Sequence, residues 1–169
     1  NEEIQTVSIR ALAHLAETRD DETGMHIQRT QDYVRVLAAH LAAHPRFAST
    51  LNSGYIKTLV RSAPLHDIGK VAIPDAILLK PGILTPEEWE VMKGHCVAGR
   101  KAIDMAAREY GEGDDNFFCY AAEIANFHHE RWDGTGYPVG LAGDAIPLSA
   151  RLMAVADVYD ALITKRVYK

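Results

Sequence analysis

This chain of 169 residues is poor in cysteine, in long apolar runs and in positive charge, and each shortage removes a class of protein. Cys96 and Cys119 are its only cysteines. Two reduced thiols in helical surroundings fit a cytoplasmic setting and exclude a Cys-type structural zinc site. No apolar run approaches the roughly 20 residues that span a bilayer, so direct membrane insertion is not expected. The first residues do not have the form of a signal peptide. Lysine and arginine number 18 against 23 acids, giving a net charge of −5. That balance argues against non-specific binding to a nucleic-acid polymer or an anionic membrane, so an anionic substrate would need locally placed cations or metals. Alternating strand patterns, internal repeats and low-complexity segments are missing as well.

What is present is helical. Apolar stripes predict helices over about Glu2–Thr18, Thr23–Ala43 and Gly54–His66. Pro45 stops the second of them. Asp67–Gly82 reads as a loop with at most a short turn, punctuated by Pro74 and Pro81-Gly82. Thr85-Pro86-Glu87-Glu88 is a helix start: Thr85 caps, Pro86 suits the first helical position and Glu88 completes a capping box. Helices are then expected over Pro86–Gly94, His95–Tyr110 and Asn116–His129. The glycine-rich segment Glu130–Pro147 must be loop, and a last helix covers about Leu148–Thr164. The fold class is therefore all-α, in one domain of ordinary size. Arg166-Val167-Tyr168-Lys169 offers no helix stop, so the natural domain is expected to continue past Lys169.

Histidines and acids then stand out. Glu22 and His26 are four apart and share a helical face, so they can reach one ion or two neighbouring ions; alone, a surface pair explains them better. His66-Asp67 ends an apolar helix, and Gly69-Lys70 follows as if to return a cation to the same spot. A lone carboxylate buried there costs several kcal/mol unless a cation or hydrogen bonds compensate it. His95 lies at an expected helix junction, where a single histidine is more often structural. His128-His129 diverge by about 100° on a helix, so they can serve two ions, or one ion and a substrate. Asp157 interrupts an apolar helix with little around it that solvates, which favours a metal or arginine partner, and Asp160 reads as a supporting or capping group. Imidazole and carboxylate donors without thiolate suit Fe, Mn, Ni or Zn. Asp67 is the most plausible bridge between ions about 3.5–4 Å apart that activate water at phosphorus. Lys70, Arg166 and Lys169 would hold phosphate oxygens, although for the last two a solvated basic tail fits composition equally well.

The ordered set His26, His66-Asp67, His95, His128-His129 and Asp157 resembles the HD superfamily of metal-dependent phosphohydrolases. Two stretches, "HDIGKVAIPDAILLKPGILTPEEWEVMKGH" and "HHERWDGTGYPVGLAGDAIPLSARLMAVADVYDAL", narrow the resemblance to the HD-GYP family, with Gly136-Tyr137-Pro138 intact. The likeness runs from about Ala11 onward. It implies a helical HD core with extra helices, bacterial origin and hydrolysis of cyclic di-GMP or a related cyclic GMP–AMP dinucleotide. It implies that His26, His66, Asp67, His95, His128, His129 and Asp157 are metal ligands, with Asp67 and Lys70 catalytic. Lys70, Arg166 and Lys169 match substrate-phosphate positions, and Tyr137 borders the mouth. Glu22, within Asp20-Asp21-Glu22-Thr23-Gly24-Met25-His26, matches a trinuclear subgroup as a further ligand, although Met25 departs from the expected asparagine.

Two or three divalent transition-metal ions follow from the resemblance, iron first and manganese or nickel as alternatives. Residues 1–20 then read as a helix leading from an upstream sensory or receiver domain, and residues 21–169 as the catalytic domain. A homodimer or GGDEF-type signalling proteins are the partners it suggests. The expected product is pGpG, with further cleavage to GMP left open. Two other readings remain at this point: an HD nucleotidase acting on mononucleotides, and a cyclic-dinucleotide-binding module without turnover.

Overall fold

In the computed structural model the protein is described over residues 2–19, 25–110 and 116–164. Seven α-helices form there: α1 Glu2–Glu17, α2 His26–Leu41, α3 Ser53–Ser62, α4 Asp75–Leu78, α5 Pro86–Tyr110, α6 Phe117–Phe127 and α7 Leu148–Ile163. The only strand-like pairing among the described residues is an isolated bridge between Asp133 and Ala142. The all-α expectation therefore holds.

Local chemistry explains most boundaries. Asn52 caps α3 by accepting the Tyr55 backbone N–H at 2.9 Å. The capping box of α5 forms as read: the Thr85 N–H donates to Glu88 at 2.7 Å, and the Glu88 N–H donates to Thr85 Oγ1 at 3.3 Å. α3 stops sooner than periodicity suggests. Pro64 has no N–H to donate, and Ala63–Leu65 tightens into a 3-10 turn instead. The segment expected as loop after Asp67 carries a 3-10 turn, Ile68–Ala72, and then the single turn of α4.

One expectation needs correction. Pro86–Gly94 and His95–Tyr110 are not two helices but the single 25-residue α5. A lone glycine costs a helix only about 1 kcal/mol, and α5 packs along both α6 and the Ile68–Ala72 turn. His95 thus sits inside a helix, not at a junction.

The main core joins α2, α3, α6 and α7 through Val34, Leu59, Ile124, Leu152 and Met153. Full burial of a side chain such as Leu59 or Ile124 contributes about 1.5–3 kcal/mol. A second cluster, Ile103, Ala121, Ala122 and Ala125, lies between α5 and α6, where the alanines admit a close approach. The closest approach is at Gly69, whose missing side chain lets the Ile68–Ala72 turn rest on the main chain of α5. At the end of α1, Arg19 donates to the carbonyls of Val71 at 2.6 Å and Ile73 at 3.2 Å, tying that helix to the same turn. Among the described residues, no helix is long and apolar enough to cross a membrane.

Candidate metal centre

The donors singled out in the sequence converge where five elements meet. α2 contributes His26, the end of the Ala63–Leu65 turn delivers His66 and Asp67, and α5 contributes His95. The end of α6 brings His128 and His129, and α7 brings Asp157. They fall into two groups whose ligand atoms lie within 4.8 Å of one another: Asp67, His95, His128 and His129 in one, and His26, His66 and Asp157 in the other.

Asp67 faces both groups. Its Oδ1 is 3.3 Å from His95 Nε2 and 3.5 Å from His128 Nε2. Its Oδ2 is 3.5 Å from His66 Nε2 and 2.8 Å from Lys70 Nζ. In the other group, His26 Nε2 lies 3.3 Å from His66 Nε2 and 3.6 Å from Asp157 Oδ1.

The opposite ring nitrogens fix the aim of these imidazoles. The Nδ1 of His66 faces the Ala63 carbonyl at 3.1 Å, that of His95 the Met92 carbonyl at 2.8 Å, and that of His128 the Ile124 carbonyl at 2.8 Å. Carbonyls only accept, so each Nδ1 carries a proton and each Nε2 is turned inward. His26 does the same through a longer reach. Its Nδ1 donates to Asp160 on α7 at 2.8 Å, and Arg29 grips that carboxylate at 2.6 and 2.9 Å. Imidazole ligands are commonly oriented by such an outer hydrogen bond.

Burial is the largest influence on the charge of each of these groups. It pushes His66 down to about 3 and His129 down to about 2. At His95 burial alone would lower the imidazole, but Asp67 and Cys96 together raise it to about 9; His128 is raised by Asp67, Asp157 and the Ile124 carbonyl against the same burial. At Asp67 burial works against Lys70 and His66, which hold the carboxyl well below its ordinary value. Asp157 is raised, by burial and then by the charge of Asp67. Two atoms in the middle, Asp67 Oδ1 and His128 Nε2, are buried and make no hydrogen bond. A buried carboxylate oxygen without a hydrogen-bond donor is costly unless something cationic meets it. The donor set therefore fits divalent metal ions.

The loop after α6 packs against these imidazoles. Tyr137 stacks on His129 with ring centroids 4.8 Å apart and lies 6.5 Å from His95. Glu130, itself buried, holds that loop by accepting the backbone N–H groups of Val139, Gly140 and Leu141 at 2.8–3.1 Å. Gly136 is required by the same packing, because a Cβ there would stand 2.3 Å from the Arg131 nitrogen.

Residues 10–169 match the family model described as HD domain. The chain belongs to the HD domain family, in its HD-GYP branch. An HD domain is a metal-binding helical domain, and the two His/Asp groups are where this one could hold its ions. The HD domain here is 59% identical over 163 residues to a "Cyclic di-GMP phosphodiesterase" of Vibrio cholerae, covering 96% of this chain and 33% of that protein. It is 56% identical to a "Probable cyclic di-GMP phosphodiesterase" of the same organism, covering 98% and 37%. A third Vibrio cholerae relative, "3'3'-cGAMP-specific phosphodiesterase 2", is 44% identical over 94% of this chain and 27% of its own length. The chain thus spans about a third of the length of these relatives.

Of the expected site residues, the structure brings together His26, His66, Asp67, Lys70, His95, His128, His129, Tyr137 and Asp157. Glu22, Arg166 and Lys169 lie outside the described residues. Sequence reasoning passed over Arg29 and Glu130. Arg29 follows His26 by three on one helix and so shares its face, which was a readable signal. Nothing in the order of residues marks Glu130 as the acid around which the loop folds.

Proposed function

We infer that this HD domain hydrolyses cyclic di-GMP to linear pGpG at a centre of two divalent transition-metal ions, iron first and manganese or nickel next. The observation that carries this reading is Asp67: one buried carboxylate turns an oxygen toward each of two imidazole-rich groups, and one of those oxygens has no other partner. His95, His128 and His129 would hold one ion beside Asp67, and His26, His66 and Asp157 the other. Oxygen and imidazole donors without thiolate suit those metals. Bound there, the ions supply Lewis acidity toward the phosphodiester and lower the pKa of water that attacks phosphorus in line.

The chain's own residues do the rest. Lys70, placed on Asp67 at 2.8 Å, offers a cation to a phosphate oxygen as negative charge develops. Water adds across one P–O3′ bond: the hydroxyl goes to phosphorus and a proton to the departing 3′-oxygen. Tyr137 shapes the entrance. Arg166 and Lys169 keep their proposed place on substrate phosphates, and Glu22 as ligand of a third ion would favour cleavage onward to GMP. The setting is the bacterial cytoplasm, with residues 21–169 as the catalytic part. A second copy or GGDEF-type signalling proteins are the partners to test.

The experiment is a substrate panel with anaerobically purified protein loaded with Fe(II) or Mn(II): cyclic di-GMP, 3′3′-cGAMP and mononucleotides, products separated by chromatography. Cyclic di-GMP should yield pGpG, and Asp67→Ala should lose both bound metal and turnover. Hydrolysis of mononucleotides alone would replace this reading with a nucleotidase. Tight binding of cyclic di-GMP without turnover would replace it with a binding module. The relative named for 3′3′-cGAMP is the reason that dinucleotide stands in the panel.

A further inference from the structure

Trp89 is a large aromatic ring left 45% exposed beside the loop after α6, outside both core clusters. It is the fourth residue of α5, where its N–H closes the first helical turn on the Thr85 carbonyl at 2.9 Å. Its indole meets Tyr137 in a T-shaped pair, with centroids 5.9 Å apart and planes at 81°. Tyr137 in turn lies nearly parallel to His129, at 29°. Rings therefore run outward from the imidazoles through Tyr137 to the half-exposed Trp89. One turn along α5, Lys93 stands with Nζ 6.0 Å from the Tyr137 ring and pairs with Glu90 at 2.6 Å.

The geometry points to Trp89 as the platform on which a purine base of the cyclic dinucleotide stacks while the phosphodiester joined to it lies at the metal-facing histidines. This rests on the function proposed above. A base has an apolar face that an indole can cover, and an aromatic already held in contact with a second ring loses little freedom when it is covered. The position also explains why an apolar ring is tolerated on an exposed helix turn. A purely structural account exists: Leu84 and Trp89 occupy the positions of a hydrophobic staple at the start of α5. A staple affects stability and leaves substrate affinity alone, which makes the two accounts separable.

The test compares the metal-loaded protein with Trp89→Ala and Trp89→Phe for kcat and KM on cyclic di-GMP, metal content and melting temperature. Trp89→Ala should raise KM roughly tenfold, with kcat and metal content unchanged, and Trp89→Phe should restore most of the affinity. Because the chain has only two tryptophans, Trp132→Phe leaves Trp89 as the sole indole emitter. Its fluorescence should be quenched on titration with pGpG. An unchanged KM in a Trp89→Ala variant that cleaves cyclic di-GMP overturns the assignment. Should that variant fail to fold, absence of quenching in Trp132→Phe overturns it equally. Wild-type protein that does not cleave cyclic di-GMP at all is a different outcome, which removes the function itself and this inference with it.

Discussion

Replacing Gly69 by alanine probes the join on which the metal centre depends. The new Cβ would stand 1.9 Å from the His95 carbonyl oxygen, 2.4 Å from the Gly99 nitrogen and 2.9 Å from the Gly99 Cα. All three atoms are main chain of α5, so no side chain can swing aside. Overpacking of a close-packed interior typically costs about 1–3 kcal/mol. With only backbone to yield, the upper end, about 3 kcal/mol, is expected here. For a domain of this size that corresponds to a fall in melting temperature of roughly 6–12 °C.

The change should also reach the chemistry. Asp67 and Lys70 flank Gly69 on one side of the join, and His95 lies on the other. Relief of the clash must lengthen the 3.3 Å approach of Asp67 to His95. Calorimetry and metal analysis on the same preparation read both effects. Gly99→Ala serves as the control: its nearest neighbour would be the Gly69 nitrogen at 3.2 Å, and alanine is the better helix former, so a change of no more than about 1 kcal/mol is expected. Gly69→Ala melting within a degree of wild type with full metal content would refute the reasoning.

Asp160→Asn should weaken metal binding about 10- to 100-fold in the half of the site that contains His26, because that imidazole loses the carboxylate that orients it. Metal titration should show one weakened site and one unaffected. Glu130→Gln replaces a carboxylate that accepts three neighbouring backbone N–H groups with an amide that has one oxygen to offer, at a cost of about 1–3 kcal/mol. Hydrogen exchange should then locate the loss of protection in residues 139–141. Gly94→Ala should stabilise the protein by about 0.5–1 kcal/mol in a melting experiment, since a Cβ there meets nothing within 4 Å and the position is interior to α5.

The sequence was most legible where a signal is local. The capping box at Thr85 and Glu88 is written in four consecutive residues, and the structure forms it. Asp67 and Asp157 were legible for a different reason: a carboxylate is expensive to bury, so each called for a partner, while the histidines were legible only as an ordered set, each alone reading as surface or structural. Gly94 misled because its helix-breaking tendency is small beside the packing of a long helix. Pro64 misled in the other direction, shortening α3 where periodicity ran on. Arg29 and Asp160 are 131 residues apart, and only the crossing of α2 with α7 makes them one unit. Glu130 was opaque because its partners are main-chain N–H groups, which every loop possesses.

The anchoring of the imidazoles is not uniform across the site. His66, His95 and His128 each bond to a carbonyl three or four residues earlier in the chain, so their aim is kept by a single turn of backbone. Of these four, His26 is the one aimed by a residue from another helix. Thermal loosening that lets α2 and α7 drift apart would misalign His26 while His95 and His128 still point inward. The centre should therefore fail in sequence as the protein is warmed: an ion held beside His26 would depart first, and one held beside His95 would remain until α5 and α6 themselves melt.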